Sequence, residues 1–254
     1  MVSKKSLQRL ATVSLALSFG MMMTPRFNLP AEAQPPNQGG VKISQSFQPP
    51  DRGAPARTAD GGTRGCGAAM NDKGLTSLTP ARHLALTVSD SPTFFWYVPK
   101  SSAQELEFKL VDGSNEDKVI YQTTLPAPSK SGIISVSLPT GTGRHLENGK
   151  MYHWYFSMVC NKEDPTAKSY IDGWIERTQL DASLASQIQG ASRRELPGVY
   201  AQAGIWHEAL ETLAELRRNY PDDQVIASQW QEFLTSVQLG EFSNEPLIAL
   251  NATR

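Results

Sequence analysis

Leu146-Glu-Asn-Gly-Lys-Met-Tyr-His-Trp-Tyr-Phe-Ser-Met-Val-Cys160 is the stretch whose reading decides the fold. It reads as a turn ending at Gly149, followed by the most aromatic strand in the chain. Strand residues alternate sides, so Tyr152, Trp154, Phe156, Met158 and Cys160 form one face and Met151 and His153 lie on the other. A continuous apolar ridge of this kind is buried only when its sheet packs against a second layer. The stretch is therefore the expected core strand of a β-sandwich.

Working outward, residues 75–179 have the texture of short strands parted by turn residues. Alternation is legible in Leu84, Leu86 and Val88, in Leu106, Phe108 and Leu110, and in Ile134, Val136 and Leu138. Breaks such as Asp112-Gly-Ser-Asn-Glu116 and Pro139-Thr-Gly-Thr-Gly143 separate the runs. About seven such strands are the expected pattern of an immunoglobulin-like sandwich. Leu146, Gly149 and Tyr152 resemble the tyrosine corner of fibronectin type III domains, where a tyrosine at the start of a strand bonds back to the preceding turn. Phe94-Phe-Trp-Tyr-Val98 carries aromatics on both faces. Phe94, Trp96 and Val98 are expected inward, with Phe95 and Tyr97 outward as a partner surface, a sugar platform, or a patch covered by the preceding arm.

From Leu180 to the end the period becomes helical, which predicts a short helical hairpin or bundle. One helix is expected over Ile205–Tyr220 and another over Gln224–Leu239, the second with Val225, Ile226, Trp230, Phe233, Leu234 and Val237 on one stripe. Tyr200, Gly204, Ala209, Leu213, Leu216 and Pro221 resemble a single tetratricopeptide unit, with Pro197 marking where its first helix begins. One unit cannot bury its own face, so it is expected to pack on the sandwich or against the Trp230 helix rather than to form a peptide groove.

The N-terminal third carries compartment signals. Lys4, Lys5 and Arg9 precede an uncharged run from Leu10 to Met23, and Ala31-Glu-Ala33 fits a cleavage site before Gln34. Residues 1–33 are read as a signal peptide, which implies export to the periplasm, outer envelope or medium. The run is short for a membrane span, so no stable span is expected after cleavage; an uncleaved anchor is the alternative. Residues 34–48 have the composition of a disordered leader. Residues 49–74 form a Pro-, Gly- and Arg-rich arm holding Arg52, Arg57 and Arg64. It reads either as an anion-gripping loop or, preferably, as an arm laid over the sandwich and tied by Cys66. Cys66 and Cys160, the two cysteines, can pair in an oxidising compartment; otherwise one is a thiol on the core strand and the other a thiol on a loop.

The 254 residues hold 24 basic and 25 acidic side chains, so no global field invites nucleic acid. His83, His145, His153 and His207 lack metal-ligand spacing, and the soft set of Met151, His153, Met158 and Cys160 is split between strand faces. His153 is accordingly read as structural. Gly143 to Lys150 misses phosphate-loop spacing, and neither a Gly-x-Ser-x-Gly elbow nor a His-Glu-x-x-His motif occurs. Carboxylate neighbours such as Glu116-Asp117 and Asp222-Asp223 read as solvated turns. The expectation is a non-enzymatic protein without catalytic residues, cofactor or metal.

Three further strings, Pro49-Pro-Asp-Arg-Gly-Ala-Pro-Ala-Arg-Thr58 with Gly61-Gly-Thr-Arg-Gly65, Ser91-Pro-Thr-Phe-Phe-Trp-Tyr-Val-Pro99, and Tyr152-His-Trp-Tyr-Phe156 with Gly173-Trp-Ile175, resemble the cyanobacterial family catalogued as domain of unknown function 928. Tyr200-Ala-Gln-Ala-Gly-Ile-Trp206 and Leu213-Ala-Glu-Leu-Arg-Arg218 resemble the same family's end. The resemblance implies an envelope or secreted protein with no assigned activity. The functional expectation is a protein-interaction module meeting an envelope partner through Arg52, Arg57, Arg64, Phe95 and Tyr97; the alternative is a carbohydrate-binding module using strand aromatics.

Overall fold

The computed structural model describes residues 45–51, 53–55, 66, 73–141, 143–164 and 167–250. Along them run eight strands: β1 (Thr76–Ser77), β2 (Ala85–Thr87), β3 (Thr93–Val98), β4 (Glu105–Asp112), β5 (Asn115–Pro126), β6 (Gly132–Ser137), β7 (Met151–Val159) and β8 (Lys168–Arg177). Helices α1 (Ala182–Gly190), α2 (Leu196–Gln202), α3 (Trp206–Asn219) and α4 (Gln224–Thr235) follow, then a 3-10 turn at Gly240–Phe242. The chain is mainly β with a helical C-terminal region. No helix among the described residues is long and apolar enough to cross a membrane.

The strands form a three-stranded sheet, β1-β3-β6, and a five-stranded sheet, β2-β8-β7-β4-β5. Every pairing is antiparallel except β2 with β8, which run parallel. The two sheets share one core. To it β3 gives Phe94, Trp96 and Val98, β4 gives Leu106, Phe108 and Leu110, and β7 gives Tyr152, Trp154, Phe156 and Met158. The β7 ridge is thus buried against a second layer, as its alternation requires. Trp96 stacks on Phe156 at 4.2 Å and meets Trp154 edge-on at 5.9 Å. Trp154 lies so close over Gly173 of β8 that a side chain there would collide with the indole. A disulfide joins Cys66 to Cys160 with the Cα atoms 5.0 Å apart, tying the arm to the end of β7.

A third, helical layer corrects one expectation. Phe95 and Tyr97 do point away from the inter-sheet core, yet they are only 2% and 4% exposed. They pack into a second core with Leu210, Leu213, Trp230, Phe233 and Leu234 from α3 and α4. Tyr97 also meets Phe242, with ring centroids 4.9 Å apart. A strand with apolar side chains on both faces needs cover on both, and helices supply it here. Phe95 and Tyr97 are therefore core residues and offer no partner surface.

The end of the predicted leader is also packed. Phe47 meets Trp206 edge-on at 4.9 Å, and the Gln48 amide donates to the Ala201 carbonyl at 3.0 Å. An isolated aromatic in polar sequence escapes a composition argument, because one ring suffices to anchor a short segment. The helical region follows its spacing closely, with Pro197 in the first turn of α2 and Gly204 at φ 74° between α2 and α3. Asp223 caps α4, which ends at Thr235 rather than Leu239, and Val225 in its first turn is 59% exposed, off the buried stripe.

Candidate functional site

The face of the five-stranded sheet opposite the core follows from the same alternation. Inward residues on β4, β7 and β8 leave Glu107 and Lys109, His153, Tyr155 and Ser157, and Lys168, Tyr170, Asp172 and Trp174 on the outer side. Antiparallel register arranges them in cross-strand rows. Gln122, Lys109, Tyr155 and Asp172 form one, and Thr124, Glu107, Ser157 and Tyr170 the next. Tyr155 and Tyr170 are diagonal neighbours on adjacent strands, a separation of about 7–8 Å. Between them and the two lysines lies a shallow depression of about 550 Å³. Tyr170 is 41% exposed, one of the few large apolar side chains open to solvent among the described residues.

Beside Tyr155, one row along the same face, lies a polar cluster around His153. His153 and Asp172, on paired strands, are each 1% exposed. The His153 Nε2 lies 2.7 Å from Asp172 Oδ2, and its Nδ1 lies 2.8 Å from Glu116 Oε1 and 2.9 Å from the Tyr155 hydroxyl. The Tyr155 hydroxyl also donates to Glu116 Oε2 at 3.2 Å. The imidazole stacks on Trp174 at 4.2 Å with the rings 6° from parallel. Each imidazole nitrogen thus faces a carboxylate oxygen, and at this burial the ring is held by protein groups on both sides. The bond from His153 holds the Glu116 carboxyl below the usual carboxylate range. Burial, then the nearby Glu116 charge, pushes the Tyr155 phenol up to about 12.

The order Tyr155, His153, Asp172 has the layout of a nucleophile relay, but its electrostatics oppose one. A nucleophile needs a depressed pKa or an undistracted base. Here the phenol is pushed up, and Glu116 competes for the same imidazole nitrogen. The arrangement instead clips β5, β7 and β8 together and fixes the Tyr155 ring at the edge of the depression. Glu116 therefore belongs to a tertiary network, although its sequence neighbourhood reads as a solvated turn. Cys160 is engaged in the disulfide, so the soft ligand set considered from sequence does not assemble. Among the described residues no group of three or more His, Cys, Asp or Glu side chains is arranged to hold a metal.

A second buried pair, His207 and Glu208, anchors α3 to the sheets. The Glu208 carboxylate accepts from the Thr87 hydroxyl at 2.5 Å and from the Val88 and Ser89 amides at 3.1 and 2.8 Å, while burial pushes its pKa up. His207 Nδ1 donates to the Thr93 carbonyl at 3.0 Å, and burial pushes the imidazole down from 6.5 to about 4. Because the folded value lies below the unfolded one, the neutral imidazole's contribution is complete above about pH 6.5 and is lost as pH falls towards 4. We expect acid to remove about 3 kcal/mol through this group, and His207→Leu to flatten the stability profile between those limits. Urea midpoints at pH 7 and 4.5 for both proteins check this; parallel profiles would contradict it.

Of the sequence-predicted site residues, Arg52, Arg57 and Arg64 lie outside the described residues, Phe95 and Tyr97 are buried, and Cys66 and Cys160 are joined. The outer-face residues Lys109, Tyr155, Lys168 and Tyr170 were not among the candidates. Their signal is the polar half of each alternating run, which gains meaning only once β4, β7 and β8 are placed side by side.

No curated protein and no solved structure matches the chain. The family model described as Domain of Unknown Function (DUF928) matches residues 59–247, which takes in every strand and helix described above. With most of its length matched, including the core strand and the helices that cover β3, the chain belongs to the DUF928 family.

Proposed function

We propose that the protein is a non-enzymatic, exported envelope module that holds a saccharide on the outer face of its five-stranded sheet. The observation that carries this reading is the pairing of Tyr155 and Tyr170 as diagonal neighbours beside a 550 Å³ depression edged by polar side chains. Aromatic faces accept the apolar faces of sugar rings, and flanking amide, hydroxyl and charged groups bond to the ring hydroxyls. The His153 cluster immobilises Tyr155 in advance, which lowers the ordering cost of binding. The disulfide fits an oxidising compartment and so accords with export.

The finer reading of the fold is immunoglobulin-like. Three strands face a five-stranded sheet, and the Tyr152 hydroxyl accepts the Glu147 amide at 2.8 Å across the turn before β7, in the manner of a tyrosine corner. A protein partner is the second reading, favoured by β5, a 12-residue strand at the sheet edge with most of its positions exposed. Strand addition there would leave the tyrosine face untouched.

A glycan microarray probed with the wild-type protein and Tyr170→Ala separates the two. The saccharide reading expects binding that falls by about tenfold or more in the variant. Absence of any glycan signal, or a signal indifferent to Tyr170, sinks it.

A further inference from the structure

We infer that this face takes an internal segment of a neutral polysaccharide, laid obliquely across β5, β4, β7 and β8, with Glu107 and Lys109 bonding its neighbouring hydroxyls; this rests on the saccharide reading above. The first observation is charge balance. Glu107 lines the depression together with Lys109 and Lys168, and Glu116 and Asp172 share the His153 imidazole beside Tyr155. The Glu116 carboxyl is held low first by His153 and in part by the charge of Lys109. At the margins Lys118 pairs with Asp112, and Lys162 pairs with Glu105. Acids and bases therefore interleave over the whole face. A ligand charge attracted by one of these groups is repelled by its neighbour, so neither an anionic nor a cationic sugar is favoured.

Such a face recognises the hydroxyl group, which both donates and accepts. Glu107 and Lys109 are alternate residues of β4 on one side of the sheet, and neither makes an ion pair among the described residues. One accepts and the other donates, so two neighbouring ring hydroxyls satisfy both through charge-assisted bonds. The second observation is shape. Every side chain lining the depression stands on a strand and none on a loop. The lining runs from Gln122 on β5 to Lys168 on β8, about 14 Å at the ordinary strand spacing, which is longer than one sugar ring. At these rows both outer strands are sheet edges, because β2 pairs with β8 only through Ile175, Glu176 and Arg177. A chain lying across the tyrosines thus continues past both edges, and nothing in the lining singles out a chain end.

The test is affinity electrophoresis of the purified protein in gels holding hydroxyethylcellulose, mannan, dextran or polygalacturonate, at low and at high salt. At least one neutral polymer is expected to retard the protein more than polygalacturonate does, by an amount that changes less than about twofold with salt. In calorimetry, an oligosaccharide of that polymer long enough to cross the sheet binds about tenfold or more tightly than its monosaccharide. Glu107→Ala and Lys109→Ala each weaken it about tenfold while the urea midpoint stays in place. Stronger retardation by polygalacturonate, retardation that falls away with salt, full affinity in the monosaccharide, or full affinity in both variants overturns the inference and leaves the saccharide reading standing. Gels without retardation beside a positive glycan array do the same, whereas a blank array removes the saccharide reading and this inference with it.

Discussion

Reduction of the Cys66–Cys160 disulfide is expected to lower the free energy of unfolding by about 4–5 kcal/mol, the largest effect of any single covalent change considered for this fold. The bridge closes a loop across a sequence separation of 94, which contains β1 to β7 and so nearly the whole sandwich. In the unfolded chain, opening it releases conformational freedom over that entire length, and the cost grows with the logarithm of loop size. Domains have only about 5–15 kcal/mol in total, so the reduced protein would sit near its folding threshold. Cys66 is buried in the inter-sheet core, and its carbonyl accepts the Ser102 amide at 3.0 Å, so opening the bridge also loosens the entry to β4. Urea titration with and without reductant measures the difference, and Cys66→Ser/Cys160→Ser should match the reduced wild type. Coincident midpoints would show that the bridge contributes nothing to stability.

Asp172→Ala is expected to cost about 3–5 kcal/mol, because it leaves a buried imidazole without the acceptor that faces it. His153 is held between Trp174, Tyr155, Glu116 and Asp172, and at 1% exposure it has no water to turn to. Removing both partners is a different matter. His153→Phe/Asp172→Leu replaces a buried hydrogen-bonded pair by apolar groups, with the phenyl ring in the imidazole's place against Trp174, and such replacements are often neutral. The double variant should therefore recover most of what the single one loses. If Asp172→Ala unfolds within about 0.5 kcal/mol of wild type, the cluster is solvated and the clip across β5, β7 and β8 is not its role.

The contrast between β3 and β7 explains what could be read in advance. In β7 the inward positions are Tyr, Trp, Phe and Met while the outward ones include His and Ser, so the alternation shows directly. In β3 the run Thr-Phe-Phe-Trp-Tyr-Val is apolar on both faces, which says that both are covered but not by what. The cover lies more than a hundred residues later, in α3 and α4, and only tertiary packing brings it there. The disulfide was open from sequence as one of two states, and the structure closes it. The candidate face was hidden for a related reason. Tyr155 sits between Trp154 and Phe156, where a tyrosine counts as one more core aromatic, and Tyr170 is 15 residues away in a run of its own. Their meeting depends on the β7–β8 register, which side-chain pattern alone does not fix. His153 illustrates the limit from the other side. Its separation from Met158 and Cys160 across the strand is legible from alternation, whereas its two carboxylate partners, 19 and 37 residues distant, are not.

If the outer face of the five-stranded sheet holds a saccharide, backbone amide signals mapped during titration with an oligosaccharide move on that face. Saturable shifts are expected at Lys109, Tyr155, Ser157 and Tyr170, with α3 and α4 silent. Shifts confined to the β5 edge or to the helical layer, or a spectrum unchanged at millimolar saccharide, would contradict it.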